Sequence, residues 1–136
     1  MLGDLIYEGK NRTTNSRVLN AEENKVEHNF TEEGRFKEDI DIIMIGTFWT
    51  VSVDDNVVYG EGQHVITTKD GGETATFKGY GIGRFNPQSK GISYRGTVFY
   101  KTSSKGKLAF LNNMTGVFEA EADESGVGVV KIWEWK

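Results

Sequence analysis

The sequence predicts an all-β protein, closed as a single eight-stranded antiparallel up-and-down barrel over residues 1–136. Three observations carry this. Glycine is abundant, at 17 residues, proline occurs once, at Pro87, and aromatic and β-branched residues fall in runs separated by turn signals. No helix-length stretch places apolar residues at three–four spacing; "NAEENKVEH" comes nearest and is short and polar. The runs number about eight and are joined mostly by short turns, so closing them into a barrel leaves no exposed sheet edge. A two-sheet sandwich is the alternative closure.

The elements follow in order. "LIYEGK" and "SRVLN" make an opening strand, one long strand interrupted by a loop. "KVEHNF" is the second, ending at a turn around Glu33-Gly34. "RFKEDIDIIMIGTFWTVSV" reads as a long bent strand with Gly46 as a bulge, and Asp54-Asp55-Asn56 turns the chain. "VVYGEGQHVITT" runs into Asp70-Gly71, the strongest hairpin signal present, and "ETATFKGYGIGRF" returns. Asn86-Pro87 opens the next turn. "GISYRGTVFYKT" ends at the Ser103 to Gly106 loop, and "KLAFLNNMTGVFEAEA" and "VGVVKIWEWK" finish, joined at Asp123 to Gly126.

Taking Asp70-Gly71 as a two-residue turn sets Gly62 opposite Gly79, Gly60 opposite Gly81 and His64 opposite Phe77, all on one face because strand side chains alternate. A phosphate loop would need its glycines in a turn before a helix. Here they repeat at the strand period and another strand follows. Glycines on the inner face let a small barrel coil tightly and leave volume for neighbouring rings. The expected lumen lining is Phe77, Phe85, Tyr94, Tyr100 and Phe118, with Trp49 as a lid or plug. A barrel of eight strands is just wide enough to be filled by side chains or to hold one small ligand.

The segment "GEGQHVITTKDGGETATFKGYGIGRF", followed by Gly91 and an apolar strand, resembles the glycine-rich hairpin of allene oxide cyclase-like and dirigent-like barrels, and resembles small uncharacterised prokaryotic proteins of that calycin-like superfamily. The resemblance covers residues 57 to 102. It implies an eight-stranded barrel with an apolar central pocket, whose relatives cyclise or couple reactive small molecules or bind ligands. No catalytic residue of those cyclases matches a position here.

Composition narrows the function. The chain has the length of one domain, and 37% hydrophobic and 26% charged residues suit a soluble globular protein. The net charge is -4 with no basic stripe, which argues against a nucleic-acid partner. With no cysteine, disulfides, thiolate nucleophiles and sulfur-ligated metals are excluded. The start "MLGDLIYEGK" carries no secretion signal, and the longest apolar stretch is broken by Asp41 and Gly46, too short for a membrane span. A cytoplasmic prokaryotic protein is expected. No dinucleotide fingerprint or metal motif is present, so neither cofactor nor metal is expected.

His64, one of two histidines, faces the lumen in this register. It is a candidate general base near neutral pH, set against the plain reading of a hydrogen-bonded core histidine. His28 alternates with Val26 and Phe30 and also faces inward. Tyr94 and Tyr100 offer phenols or simply fill the core. Glu61 points outward unless the register slips by one, which would exchange it with His64. Glu119 and Glu121 read as a solvated face. Outside, Tyr59, Val65, Tyr80, Ile82, Phe99 and Val117 are apolar, and the last strand is apolar on both faces, which predicts a homo-oligomer, dimer or trimer. Three functional classes remain: a barrel binding a hydrophobic small molecule, a cofactor-independent isomerase or cyclase, and a structural oligomer with a filled core.

Overall fold

The computed structural model describes residues 2–136. Eight antiparallel strands close in sequence order into one barrel. They are β1 (Leu2–Asn20), β2 (Lys25–Phe36), β3 (Ile40–Asp54), β4 (Val57–Thr68), β5 (Thr74–Phe85), β6 (Ile92–Lys101), β7 (Thr115–Ala122) and β8 (Val127–Trp135), and β8 pairs back onto β1. Closure pairs every strand on both edges, so no backbone ladder is left open to another chain.

The β4–β5 ladder sets Gly62 opposite Gly79, Gly60 opposite Gly81, His64 opposite Phe77 and Ile66 opposite Ala75. The turn differs from the two-residue expectation. The Thr68 N–H donates to the Glu73 carbonyl at 3.0 Å, which makes a four-residue loop. Asp70 Oδ1 braces it, accepting from the Gly72 N–H at 2.9 Å and the Thr68 hydroxyl at 2.6 Å. Gly71 takes φ +79°, a left-handed value that favours glycine. Two- and four-residue loops share the same centre here, so the register is the same for both.

Three further expectations are corrected. Gly34 lies within β2, opposite Gly9, and the chain turns instead at Lys37–Asp39, where Lys37 and Glu38 have positive φ. Both glycines lie against the Tyr7 ring, and a Cβ at either would overlap the Tyr7 hydroxyl. Gly46 is not a bulge: it pairs in unbroken register with Phe30 and His64. A Cβ there would sit 2.5 Å from Phe30 Cζ and 2.7 Å from His64 Nδ1, so the position is empty to make room for those two rings. The register shifts fall instead in β1, between Thr13 and Asn15 and between Val18 and Asn20 against β2 and between Leu2 and Tyr7 against β8, and at the end of β3, between Ser52 and Asp54.

The third correction is "KLAFLNN", which is not strand. Ala109–Leu111 forms a 3₁₀ turn, and β7 begins only at Thr115. Leu108 and Leu111 are fully buried and join Phe36, Ile42, Ile66, Ala75 and Tyr100 in the core. This β6–β7 segment therefore plugs one end of the barrel. Glu73 ties it down: its carboxylate accepts from the Lys107 and Leu108 N–H groups at 2.9 and 3.0 Å and from the Ser104 hydroxyl. Those donors hold the Glu73 carboxyl below its usual pKa. Lys37 Nζ lies 3.8 Å over the Phe110 ring on the same end.

Candidate functional site

Plugging one end leaves the other half of the lumen open. A cavity of about 560 Å³ occupies it, entered between the β1–β2 and β7–β8 ends, with Asn24, Val26, Thr13 to Asn15 and Asp123 to Gly126 around the mouth. Alternation along each strand makes the walls. Phe30, Phe48, Phe77, Tyr94 and Phe118 present rings, and Val58, Val98 and Val130 fill between them. Phe48 packs edge-on against Tyr94 at 6.0 Å and Phe30 at 5.8 Å. Glycines hold this space open. At Gly79 an added Cβ would meet Val98 Cγ1 at 3.5 Å, an ordinary contact, so the position is free for a side chain that is not there.

Polar groups are few and placed at two depths. Near the mouth, His28 Nδ1 is 3.0 Å from Ser16 Oγ and its Nε2 3.3 Å from Thr50 Oγ1. Burial lowers the His28 pKa. Towards the plug, Glu32 is almost fully buried at 5% exposure. Its Oε2 accepts from the Tyr7 hydroxyl at 2.5 Å and its Oε1 from Asn11 Nδ2 at 3.0 Å. Burial raises the Glu32 pKa, while the two donors pull it back. Burial and the neighbouring carboxylate raise the Tyr7 hydroxyl further, so it stays protonated and donates. Asn11 and Glu32 line the cavity; Tyr7 stands behind them.

His64 faces the cavity, stacked on Phe77 with centroids 4.0 Å apart and planes 12° apart. Its Nδ1 is buried without a hydrogen-bond partner, contrary to the satisfied core histidine the sequence allowed. Desolvation lowers its pKa to about 3, so it is neutral at pH 7 and a weak base. The expected base near neutrality is not what this environment makes.

The other expected residues divide. Phe77, Tyr94 and Phe118 line the cavity, and Phe85 sits at its rim, 46% exposed. The Tyr94 hydroxyl is pushed up to about 12 by burial. Tyr100 does not line the cavity. It is fully buried beneath the floor, 5.1 Å from Phe77 and 6.1 Å from Phe36, with its hydroxyl unpartnered. Trp49 is also corrected. It alternates with the inward Phe48 and Thr50, so it lies on the outer wall, beneath Lys25 Nζ at 4.3 Å and beside Tyr59 at 5.9 Å. Glu61 points outward and accepts from the Tyr59 hydroxyl at 2.9 Å. No cluster of three or more metal-ligating side chains occurs among the described residues. The filled-core alternative does not hold for the mouth half.

Glu32, Tyr7 and Asn11 were missed. Ending β2 at Glu33-Gly34 hid the carboxylate. Continuing the inward alternation of Val26, His28 and Phe30 by two residues would have brought Glu32 inside.

No known protein family's profile matches the chain, and no curated protein matches it. Solved structures do. A conserved protein of unknown function from Rhodopseudomonas palustris is similar with a TM-score of 0.78 at 13% identity, over 98% of this chain and 97% of that one. A protein of unknown function from Clostridium acetobutylicum is similar with a TM-score of 0.80 at 10% identity, over 98% of both chains. At such identities the likeness is one of fold.

Proposed function

We propose that the protein binds a small molecule with an apolar body in the open half of its lumen. The observation that carries this is the cavity of about 560 Å³ walled by phenylalanines and valines, with a polar mouth and, inside it, a few polar side chains such as His28, Thr50, His64 and Glu32. Such a division, mostly apolar lining with a few placed polar groups, is the usual make-up of a ligand site. Titration with the neutral fluorophore N-phenyl-1-naphthylamine tests it; the expected result is saturable, blue-shifted emission at one probe per barrel. Gly79→Leu grows a side chain into the cavity from a position that accepts a Cβ. It is expected to weaken that binding at least about tenfold, the equivalent of about 1.4 kcal/mol, with an unchanged β-sheet spectrum. Equal binding by the variant would remove the lumen as the site.

A second reading, a cofactor-independent isomerase or cyclase on a hydrophobic substrate, draws on one specific feature. The Glu32 carboxyl sits at the inner end of an apolar cavity with a pKa raised by burial and a tyrosine hydroxyl bonded to it. That environment suits proton exchange with a substrate held by the aromatic walls, whose folding of it would supply much of the rate. The resemblance to allene oxide cyclase-like barrels favours the same class. On this reading Glu32, not His64, moves the proton. Glu32→Gln would then abolish turnover while substrate still binds.

The reading includes a cytoplasmic homo-oligomer. The outer wall supports the assembly: Ile45 pairs with Val65 across β3 and β4, and both are exposed, with Ile43, Phe99 and Val129. Light scattering at micromolar concentration is expected to return a multiple of the 15.2 kDa chain mass; a monomer mass would exclude it.

A further inference from the structure

We infer that the ligand is an organic cation, a protonated amine on an apolar or aromatic body, bound with its charge toward Glu32. The inference rests on the lumen being a ligand site and adds the chemistry of the ligand's head group.

The sign of the lining is the first support. Of the described residues around the cavity, none is lysine or arginine. Acidic groups stand at both ends: Glu32 inside, and Asp123 and Glu124 at the mouth. Glu121 is paired with Arg95 at 2.9 Å and Glu61 lies on the outer wall with Tyr59, so the unpaired acidic groups among the described residues of the cavity are the other three. Both inward histidines have lowered pKa values and are neutral at pH 7, so they do not offset the acids. A low-dielectric channel with one sign of charge focuses its field and draws in the opposite sign.

Glu32 itself is the second support. Both its oxygens are held by neutral donors, Tyr7 and Asn11. Among the described residues no lysine or arginine forms an ion pair with it, and no positive neighbour acts on its titration. A buried carboxylate without a counter-charge is costly. The two donors fix its orientation without neutralising it, and its carboxyl borders the open space. A ligand ammonium arriving there provides the missing charge and a charge-assisted hydrogen bond.

The walls are the third. Phe30, on the same face two residues before Glu32, and Phe48 and Phe77 present rings into the space beside it. Aromatic faces attract a desolvated cation through the ring quadrupole. The same walls accept an uncharged body, so the preference for a cation is decided by the carboxylate.

A matched series tests this in the intact protein: 4-phenylbutylammonium, 4-phenylbutanol and 4-phenylbutyrate, titrated by calorimetry at pH 7.5. The expected order is ammonium tightest, at least about tenfold tighter than the alcohol, with the carboxylate weakest. In Glu32→Gln, which keeps the shape, the ammonium is expected to fall to the alcohol's affinity while the alcohol's stays within about twofold. Alcohol or carboxylate binding as tightly as ammonium would overturn the inference and leave the ligand cavity standing. So would an ammonium preference that survives Glu32→Gln. Failure of all three compounds to bind, with the neutral fluorophore also excluded, would remove the cavity reading and this inference together. The head-group order in the unaltered protein decides the matter even where the variant does not fold.

Discussion

Gly96→Ala is expected to lower stability by about 3 kcal/mol or more and the melting temperature by about 10 °C, read by thermal and urea unfolding. Gly96 stands opposite Gly81 on β5 and Phe118 on β7. A Cβ there would overlap the Tyr80 carbonyl oxygen and lie 2.7 Å from both Gly81 Cα and Phe118 Cε1. The first two are backbone atoms in the β5–β6 ladder, so no rotamer change relieves them; the strands must part. The matched control is Gly79→Ala. Its Cβ would have no neighbour closer than 3.5 Å, and the change is expected to cost less than about 1 kcal/mol, because alanine also restricts the unfolded chain. Equal effects at the two positions would mean that the barrel does not coil as tightly at Gly96 as the structure has it.

The second large effect is acid sensitivity from His64. Its pKa is lowered to about 3 in the fold, against about 6.5 unfolded. The unfolded chain therefore takes up a proton that the folded one refuses. Stability falls as pH drops below 6.5 and stops falling near 3. Linkage sets the size at about 2 kcal/mol between pH 7 and 5, and about 3 kcal/mol by pH 4. His28 adds in the same direction. Glu32, with a raised pKa, acts oppositely: the fold holds its proton at a pH where the unfolded chain has lost it. The carboxylates with lowered pKa values, Asp41, Asp70, Glu73 and Asp123, weaken the fold at lower pH than His64, as pH falls through the ordinary carboxylate range and below it. The difference between wild type and His64→Leu isolates the histidine. The variant is expected to match wild type at pH 7 within about 1 kcal/mol, since it removes an unpartnered buried nitrogen. It is expected to be the more stable protein at pH 5. Parallel curves would show that His64 takes up its proton within the fold.

How much of this was legible depends on the length of the pattern. The β4–β5 pairing followed from alternation around a single turn signal, because a period of two leaves only one set of residues inside and the loop centre sets the register. Phe77, Tyr94 and Phe118 followed from the same rule. Tyr100 obeys it too, yet alternation gives the face and not the depth: the plug places Tyr100 under the floor. A bulge at Gly46 would reverse the alternation after it and turn Trp49 inward; the unbroken register through Gly46 keeps Trp49 outside. Glu32 was lost by ending β2 at a glycine that the strand passes through.

The amino-acid sequence alone determined that this chain makes an antiparallel barrel of eight strands, because strand periodicity and turn chemistry are local properties. It also determined which face of each well-bounded strand is apolar. Only the tertiary structure decided which half of the lumen is filled and what stands at the bottom of the open half. Leu108 and Leu111 become a plug by joining one core cluster with Phe36 and Ile42, residues remote from them in the chain. Glu32 is held by Tyr7 and Asn11 across 25 and 21 positions. A carboxylate that reads as surface charge becomes a buried group when closure brings β1 and β2 around it, and no local pattern encodes that burial.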